Sequence, residues 1–342
     1  MSSLATERTN IPSRALEGIL CVEAGMVFFV IQDVLMKSLL NTHPVWNLIF
    51  VRSVVTLVLL MPVMLWLGPP HRIFTPLWPL HFARAVLLAA GFSLFYAAFP
   101  FMGLAEVTTI FFSAPLMTAL LAAVFLRETI GWHRIAALII GFIGVVIAMN
   151  PVGDSFTWVA ILPLLCALTY AISQIIARKI GEGESSLTAG LQTISFMGLL
   201  ILPLGWLTNQ VITIGPEFQH LRMTWPTALA RDWLDLMLLG FVGMLGWILL
   251  SRAYQVANAS LVAPFDYTYL PIAAGVAYFM WSEIPPSNTL VGMALIILSG
   301  LYVGFREIRA ARRHDEPTVM AEAAFVPGGP MLPNIPDDEN LL

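Results

Sequence analysis

The chain has 342 residues, 58% of them hydrophobic and 11% charged, with a formal net charge of -4. At a mean hydropathy of +0.82 it carries more apolar surface than one soluble core of this size can hide, which excludes a soluble globular fold and predicts an all-α integral membrane protein whose first partner is the lipid bilayer. The small net charge says little about partners, and no nucleic-acid partner is expected; Cys21 and Cys166, both in apolar runs, give neither a disulfide framework nor a cysteine-rich metal site.

Residues 1–17 are polar, contain Arg8 and Arg14, and read as a cytosolic tail. The run that follows, 18–40, is full length and holds Glu23, Asp33 and Lys37, which argues for a retained span over a cleaved leader. Crossing about 30 Å of hydrocarbon takes roughly 20 helical residues. Nine further runs are long enough, near 46–67, 83–103, 107–126, 134–150, 157–179, 187–207, 233–254, 259–281 and 288–306, so ten spans are predicted. From His314 to Leu342 the composition turns to proline and acid, ending in "DDENLL", and a disordered cytosolic tail is expected.

This span count sorts the basic residues. Arg8, Arg14, Arg72, Arg84, Arg127, Arg134, Arg178, Lys179, Arg252, Arg306, Arg309, Arg312 and Arg313 fall on one side, and Arg222 and Arg231 alone on the other. Positive charge stays cytoplasmic during insertion, so both termini are expected in the cytoplasm. His43, His71, His81, His133, His220 and His314 lie in loops, near span ends or in the tail, which argues against a buried histidine metal or proton site.

The chain also repeats itself. "AFPFMGLAEVTTIFFSAPLMTALLAAVFLRE" (Ala98 to Glu128) aligns without a gap on "AYQVANASLVAPFDYTYLPIAAGVAYFMWSE" (Ala253 to Glu283), with Pro115 and Pro271 one position apart. Gly144 and Gly300 then close the similar runs "LIIGFIG" and "LIILSG". The halves are 18–150 and 157–307, five spans each. An odd number of spans turns the second copy upside down, so the Glu128 turn is expected in the cytoplasm and the Glu283 turn on the far side. Inverted repeats with broken helices meeting near the midplane belong to secondary transporters.

Ten spans in two sets of five, with "GLAEVTTIFFSAPLMTALLAAVFLRE" in one half and "ANASLVAPFDYTYLPIAAGVAYFMWSEI" in the other, resemble the EamA branch of the drug/metabolite transporter superfamily. "DVLMK", "FVRS" and "VAPFDYTYLP" are most similar to bacterial carriers that include riboflavin and S-adenosylmethionine transporters. The resemblance covers residues 18–307 and implies a multi-pass protein of the bacterial inner membrane that needs no cofactor.

Ionisable residues inside spans cost about 2.5–3.5 kcal/mol each on insertion scales and point to function. Asp33 and Lys37 lie four apart on one helix face. They either satisfy each other, or form a gate or substrate contact together with Arg52, which is also close enough to a span end to snorkel. Glu23 is within similar reach of the surface. In "SLVAPFDYTYLP" a helix core would exclude two prolines and a carboxylate, and irregular backbone at membrane depth is tolerated where it lines protein or a wet cavity. Asp266, Tyr267 and Tyr269, flanked by Pro264 and Pro271, are therefore expected to line the translocation pathway.

Phe92, Phe95, Tyr96 and Phe99 on the third span, Phe111 and Phe112 on the fourth and Trp247 on the eighth supply rings that suit a flat heteroaromatic substrate or a cation. Tyr96, Phe99, Phe112 and Trp247 are the expected contacts. "GFVGMLG", with Gly240, Gly243 and Gly246, gives the eighth span a smooth face for close helix approach. No G-x-x-x-x-G-K-[ST] loop is present to hold ATP phosphates. The expected function is a non-enzymatic secondary transporter, monomeric as a unit, with riboflavin uptake first and S-adenosylmethionine uptake or metabolite export as alternatives. A membrane-embedded enzyme or a sensor is the reading outside transport.

Overall fold

The computed structural model describes residues 3–67, 73–125, 131–151, 157–181, 184–225, 230–257 and 259–314. The expectations placed on Arg72, Arg127, Glu128 and the tail beyond His314 lie outside the described residues. Among those described there is no strand. Twelve helices follow in order: α1 (Ser3–Leu39), α2 (Val45–Leu67), α3 (Trp78–Ala97), α4 (Leu104–Phe111), α5 (Ala114–Phe125), α6 (Trp132–Met149), α7 (Ile161–Gly181), α8 (Ser186–Val211), α9 (Ala230–Val256), α10 (Ala259–Val262), α11 (Tyr269–Trp281) and α12 (Ser287–His314).

Nine segments are long and apolar enough to cross a membrane, with α4 and α5 counted as one broken span. The remaining predicted span, the ninth in chain order, is also broken, as α10, a 3-10 stretch over Ala263–Thr268, and α11. This multi-pass membrane protein turns apolar side chains outward, with Val58 65% and Phe279 85% exposed. In a bilayer such faces meet lipid. Helix α1 starts at Ser3, so it runs through the segment read as a tail, and its apolar part begins at Ala15.

The two halves obey one packing rule. Helix α1 packs on α9 as α3 packs on α7, and α2 meets α9 as α8 meets α3. The remaining large contacts pair counterparts directly, α2 with α8 and α6 with α12. The broken spans run in opposite directions, because the Leu104 N–H at the start of α4 donates to Glu283 Oε2 just beyond the end of α11, at 3.0 Å. The second copy is inverted relative to the first.

Glycines set how closely the helices approach. On α9, a Cβ at Gly240 would meet Val55, at Gly243 the Gln32 amide and at Gly246 the Phe29 ring, so the "GFVGMLG" face lets α1 and α2 close in as its small residues predict. Between α6 and α12 the contact is backbone to backbone, since a Cβ on Gly292 would lie 2.4 Å from the Gly144 carbonyl oxygen. Ser299 Oγ donates to the Ala137 carbonyl at 2.7 Å and Asn288 Nδ2 to that of Ala148 at 3.0 Å, fixing the same pair. Gly300, the sequence counterpart of Gly144, instead leaves room for the Tyr267 hydroxyl.

The long connection after α8 folds over the end of the bundle where α1 finishes. Trp46 Nε1 donates to the Leu221 carbonyl at 2.7 Å, Asn47 Nδ2 to that of Thr224 at 2.8 Å, and Phe218 packs on Phe101. Buried His220 bonds the Ala97 carbonyl at 3.1 Å, and its burial pushes its pKa below the ordinary histidine value.

Gly292→Val places methyl groups into the Gly144 backbone, and overpacking of this kind costs about 1–3 kcal/mol. Its melting temperature in detergent is expected to fall clearly, while Gly275→Ala on α11, where a Cβ meets nothing within 4 Å, melts with the wild type.

Candidate functional site

Four helices deliver one buried polar cluster. Asp33 of α1 has no exposed surface. Its Oδ1 accepts from the Tyr96 hydroxyl of α3 at 3.1 Å, and its Oδ2 from the Tyr269 hydroxyl at the start of α11 at 2.5 Å. The Tyr96 oxygen in turn accepts from Arg52 Nη1 of α2 at 3.1 Å and lies 3.5 Å from Gln32 Nε2. One hydroxyl thus links a buried carboxylate to a buried guanidinium, and Arg52 also lies 5.8 Å from the Phe92 and Tyr96 ring centres. Arg52 is 4% exposed, so of its two sequence readings the structure takes the interior one over snorkelling.

The self-satisfied Asp33–Lys37 pair is not what forms. Both Asp33 oxygens are taken by phenols, and one turn further along α1 the Lys37 ammonium meets Glu283 Oε1 at 2.5 Å and the Met102 carbonyl at 3.2 Å. It also sits 5.0 Å from the Trp281 ring centre. Lys37 and Glu283 are 246 positions apart, beyond the reach of any helical spacing rule.

In the ninth span the prolines fall where a missing N–H does least harm. Pro264 lies in the first turn of the 3-10 stretch, and Pro271 is the third residue of α11. Pro271 is exposed and Pro264 partly so, whereas Asp266, Tyr267 and Tyr269 between them are buried. Asp266 Oδ2 accepts from the Tyr254 hydroxyl of α9 at 2.9 Å. Thr268 donates to Glu23 at 3.1 Å, so Glu23 is engaged with the ninth span.

The fourth span breaks at Phe112 and Ser113. There the Phe112 ring stacks on Tyr269 at 5.7 Å and 23°, and lies 5.8 Å from Tyr267. The two interrupted helices therefore meet ring to ring. Phe95 sits 5.0 Å from both Phe99 and Phe111, while Tyr96 meets Phe99 at 5.2 Å. Trp247 is buried on α9 against Gly190 of α8, with its indole N–H unpartnered among the described residues.

Beyond Phe99, at the end where α1 and α11 finish and α4 begins, lies a cavity of about 490 Å³. Lys37, Phe99, Phe101, Glu106, Trp281 and Glu283 are among its walls.

Sequence reasoning missed several polar residues. Tyr254 carries no signal beyond aromaticity, although Gln32, next to Asp33 in an apolar run, was legible as a polar residue at depth. Arg84, counted with the cytoplasmic-side charges, is fully buried in α3 and donates to Thr193 at 3.4 Å. His81 lies near a span end as read from the sequence, and there it is fully buried and bonds Glu184 at 2.8 Å. Among the described residues no group of three metal-ligating side chains occurs.

The model of the EamA-like transporter family matches residues 16–150 and again 157–305. An S-adenosylmethionine uptake transporter of Rickettsia bellii is 28% identical over 81% of this chain and 90% of its own length. A riboflavin transporter of Vibrio cholerae is 26% identical over 89% of this chain and 98% of its own. The pseudopaline exporter CntI of Pseudomonas aeruginosa is 24% identical over 82% and 94%. A crystal structure with 15% identity superposes at a TM-score of 0.56 over 86% of this chain and 98% of that one, a likeness of fold.

Removing one partner of a buried charge pair costs about 3–5 kcal/mol, because the other is left uncompensated. Arg52→Met is expected to destabilise by that order, and the Asp33→Asn, Arg52→Met double variant to recover part of it in detergent unfolding. Fully additive losses would show that the two charges do not compensate each other.

Proposed function

This chain belongs to the EamA-like transporter family of multi-pass membrane transporters, and from that premise we propose that it is a secondary carrier of a small organic metabolite with a flat heteroaromatic ring. Riboflavin uptake is the first reading. The observation that carries it is the junction of the two broken helices, where Phe112 stacks on Tyr269 and Tyr269 in turn bonds Asp33. A ring inserted between these helices exchanges one stacking partner for another, while carboxylate, phenol and guanidinium offer hydrogen bonds at its edge.

S-adenosylmethionine uptake is the second reading, supported by the Rickettsia bellii relative and by an adenine ring that would use the same stack. The relatives include an uptake transporter and an exporter, so direction is tested together with substrate. In this reading the Asp33 cluster is the central site, and Asp266 with Tyr254 and Tyr267 lines the path toward the end where α1 begins. The Lys37–Glu283 pair closes the opposite end. The distribution of Arg and Lys supports both termini in the cytoplasm, which makes the cavity beside Lys37 face the periplasm. One chain holds both repeats and is the functional unit.

The test is uptake of radiolabelled riboflavin and, separately, S-adenosylmethionine by bacterial cells that cannot make or import them except through this chain. One of the two is expected to accumulate saturably, and Asp33→Asn at matched membrane abundance to lower its uptake by tenfold or more, the effect of losing about 1.4 kcal/mol of binding. Asp266→Asn is expected to slow uptake as well. Accumulation of neither solute, with the protein inserted and folded, would reject both uptake readings.

A further inference from the structure

The Lys37 ammonium sits in a cage that a free cation would use. It has a carboxylate at 2.5 Å from Glu283, a backbone carbonyl at 3.2 Å from Met102, and the Trp281 ring at 5.0 Å. Those three are the elements of ammonium recognition, a charge-assisted hydrogen bond, a neutral acceptor and an aromatic ring. The cage opens on the 490 Å³ cavity, which is far larger than the lysine tip needs.

The charge at this mouth also favours a cation. Glu106 and Glu283 converge there, each with Oε2 3.5 Å from the point where a Gly103 Cβ would stand, so two carboxylates face one ammonium. The N-terminus of α4 contributes at most about half a positive charge. Its outermost donors are already occupied, Gly103 N–H by Glu106 at 2.9 Å and Leu104 N–H by Glu283 at 3.0 Å, and give no hold on an anion. Phe99 and Phe101 add apolar wall for the body of a ligand.

We propose that this vestibule binds an organic cation, a primary ammonium carried on an apolar or aromatic body, and that Lys37 is a tethered stand-in which the ligand displaces from Glu283 and Trp281. The same carboxylate joins α1 through Lys37 and α4 through Leu104, so displacement loosens the contact that closes this end of the bundle. Calling the cavity a mouth rests on the carrier reading; the binding site does not.

The sign of one variant separates this from a structural role. A competitor fixed in the site lowers apparent affinity by the fraction of sites it fills, so removing it strengthens binding. The probes are 2-phenylethylammonium and its uncharged analogue 2-phenylethanol, titrated calorimetrically into the purified full chain in lipid nanodiscs at neutral pH. The ammonium is expected to bind and the alcohol to bind at least tenfold more weakly. Lys37→Met, which keeps the stem and drops the charge, is expected to tighten the ammonium on the order of tenfold, and Trp281→Leu to weaken it. Equal binding of the two probes, no binding of either, or unchanged or weaker ammonium binding in Lys37→Met would overturn the proposal. Metabolite uptake by cells carrying Lys37→Met is read separately, so a failed cation site with uptake retained leaves the carrier reading standing.

Discussion

A carboxylate without exposed surface, inside the apolar part of its helix, must be satisfied by the protein alone. Asp33 meets this demand with two phenols and, through one of them, a guanidinium. Each partner comes from a different helix, so the cluster fixes how α1, α2, α3 and α11 sit against one another. It also explains why the ninth span cannot be one regular helix. Tyr269 has to arrive at Asp33 while Tyr267, two residues earlier, turns its ring to Phe112 and its hydroxyl to Gly300. The 3-10 stretch between α10 and α11 supplies that turn.

Breaking a helix in hydrocarbon leaves backbone groups that need partners. The prolines lie in the first turns of the 3-10 stretch and of α11, where the helix changes its winding. At the far end of α11, Ser282 enters the left-handed region at φ 55° and its N–H returns to the Tyr278 carbonyl at 2.8 Å. Its neighbour Glu283 is thereby brought to both the α4 N-terminus and Lys37. The helix ends are thus part of the site: the groups that cap the backbone are the groups that wall the cavity.

The spans, their order and the interruption of the ninth were legible because hydrophobic run length and proline placement act locally, whereas the break of the fourth at Phe112 and Ser113 was not read from the sequence. So was the involvement of Asp33, Arg52, Asp266, Tyr96 and Tyr269 as polar or aromatic groups at depth. The partners were not. Spacing along α1 favours Asp33 with Lys37, yet a tyrosine from α3 and another from α11 outcompete the lysine, and the lysine finds an acid 246 positions away. The partners of His81 and Arg84 were hidden for the same reason, since Glu184 and Thr193 lie 103 and 109 positions further along the chain. Periodicity reports which residues face inward; only the tertiary arrangement decides which inward groups meet.

The repeat is symmetric in backbone and asymmetric in charge. Laying "IQDVLMK" (Ile31 to Lys37) on "ISQIIAR" (Ile172 to Arg178) sets Asp33 opposite Gln174, and the offset of the fourth and ninth spans sets Tyr96 opposite Ser251. Gln174 is buried with its carbonyl oxygen unpartnered among the described residues, and Ser251 bonds only within its own helix, to Trp247. Among the described residues the carboxylate–phenol–guanidinium chain therefore exists once, while the pairings of α1 with α9 and of α2 with α9 recur as α7 with α3 and α8 with α3. In the carrier proposed above, equal backbones would offer two arrangements of similar packing energy, and a charge chain that the repeat does not duplicate would make them unequal. A ligand that engages Asp33 or Glu283 acts on that inequality, because it replaces an internal partner on one side of the bundle and leaves the matching positions on the other side unchanged. Differential contact of this kind is what a substrate needs in order to shift a two-state equilibrium, and here it follows from residue identities that the repeat does not share.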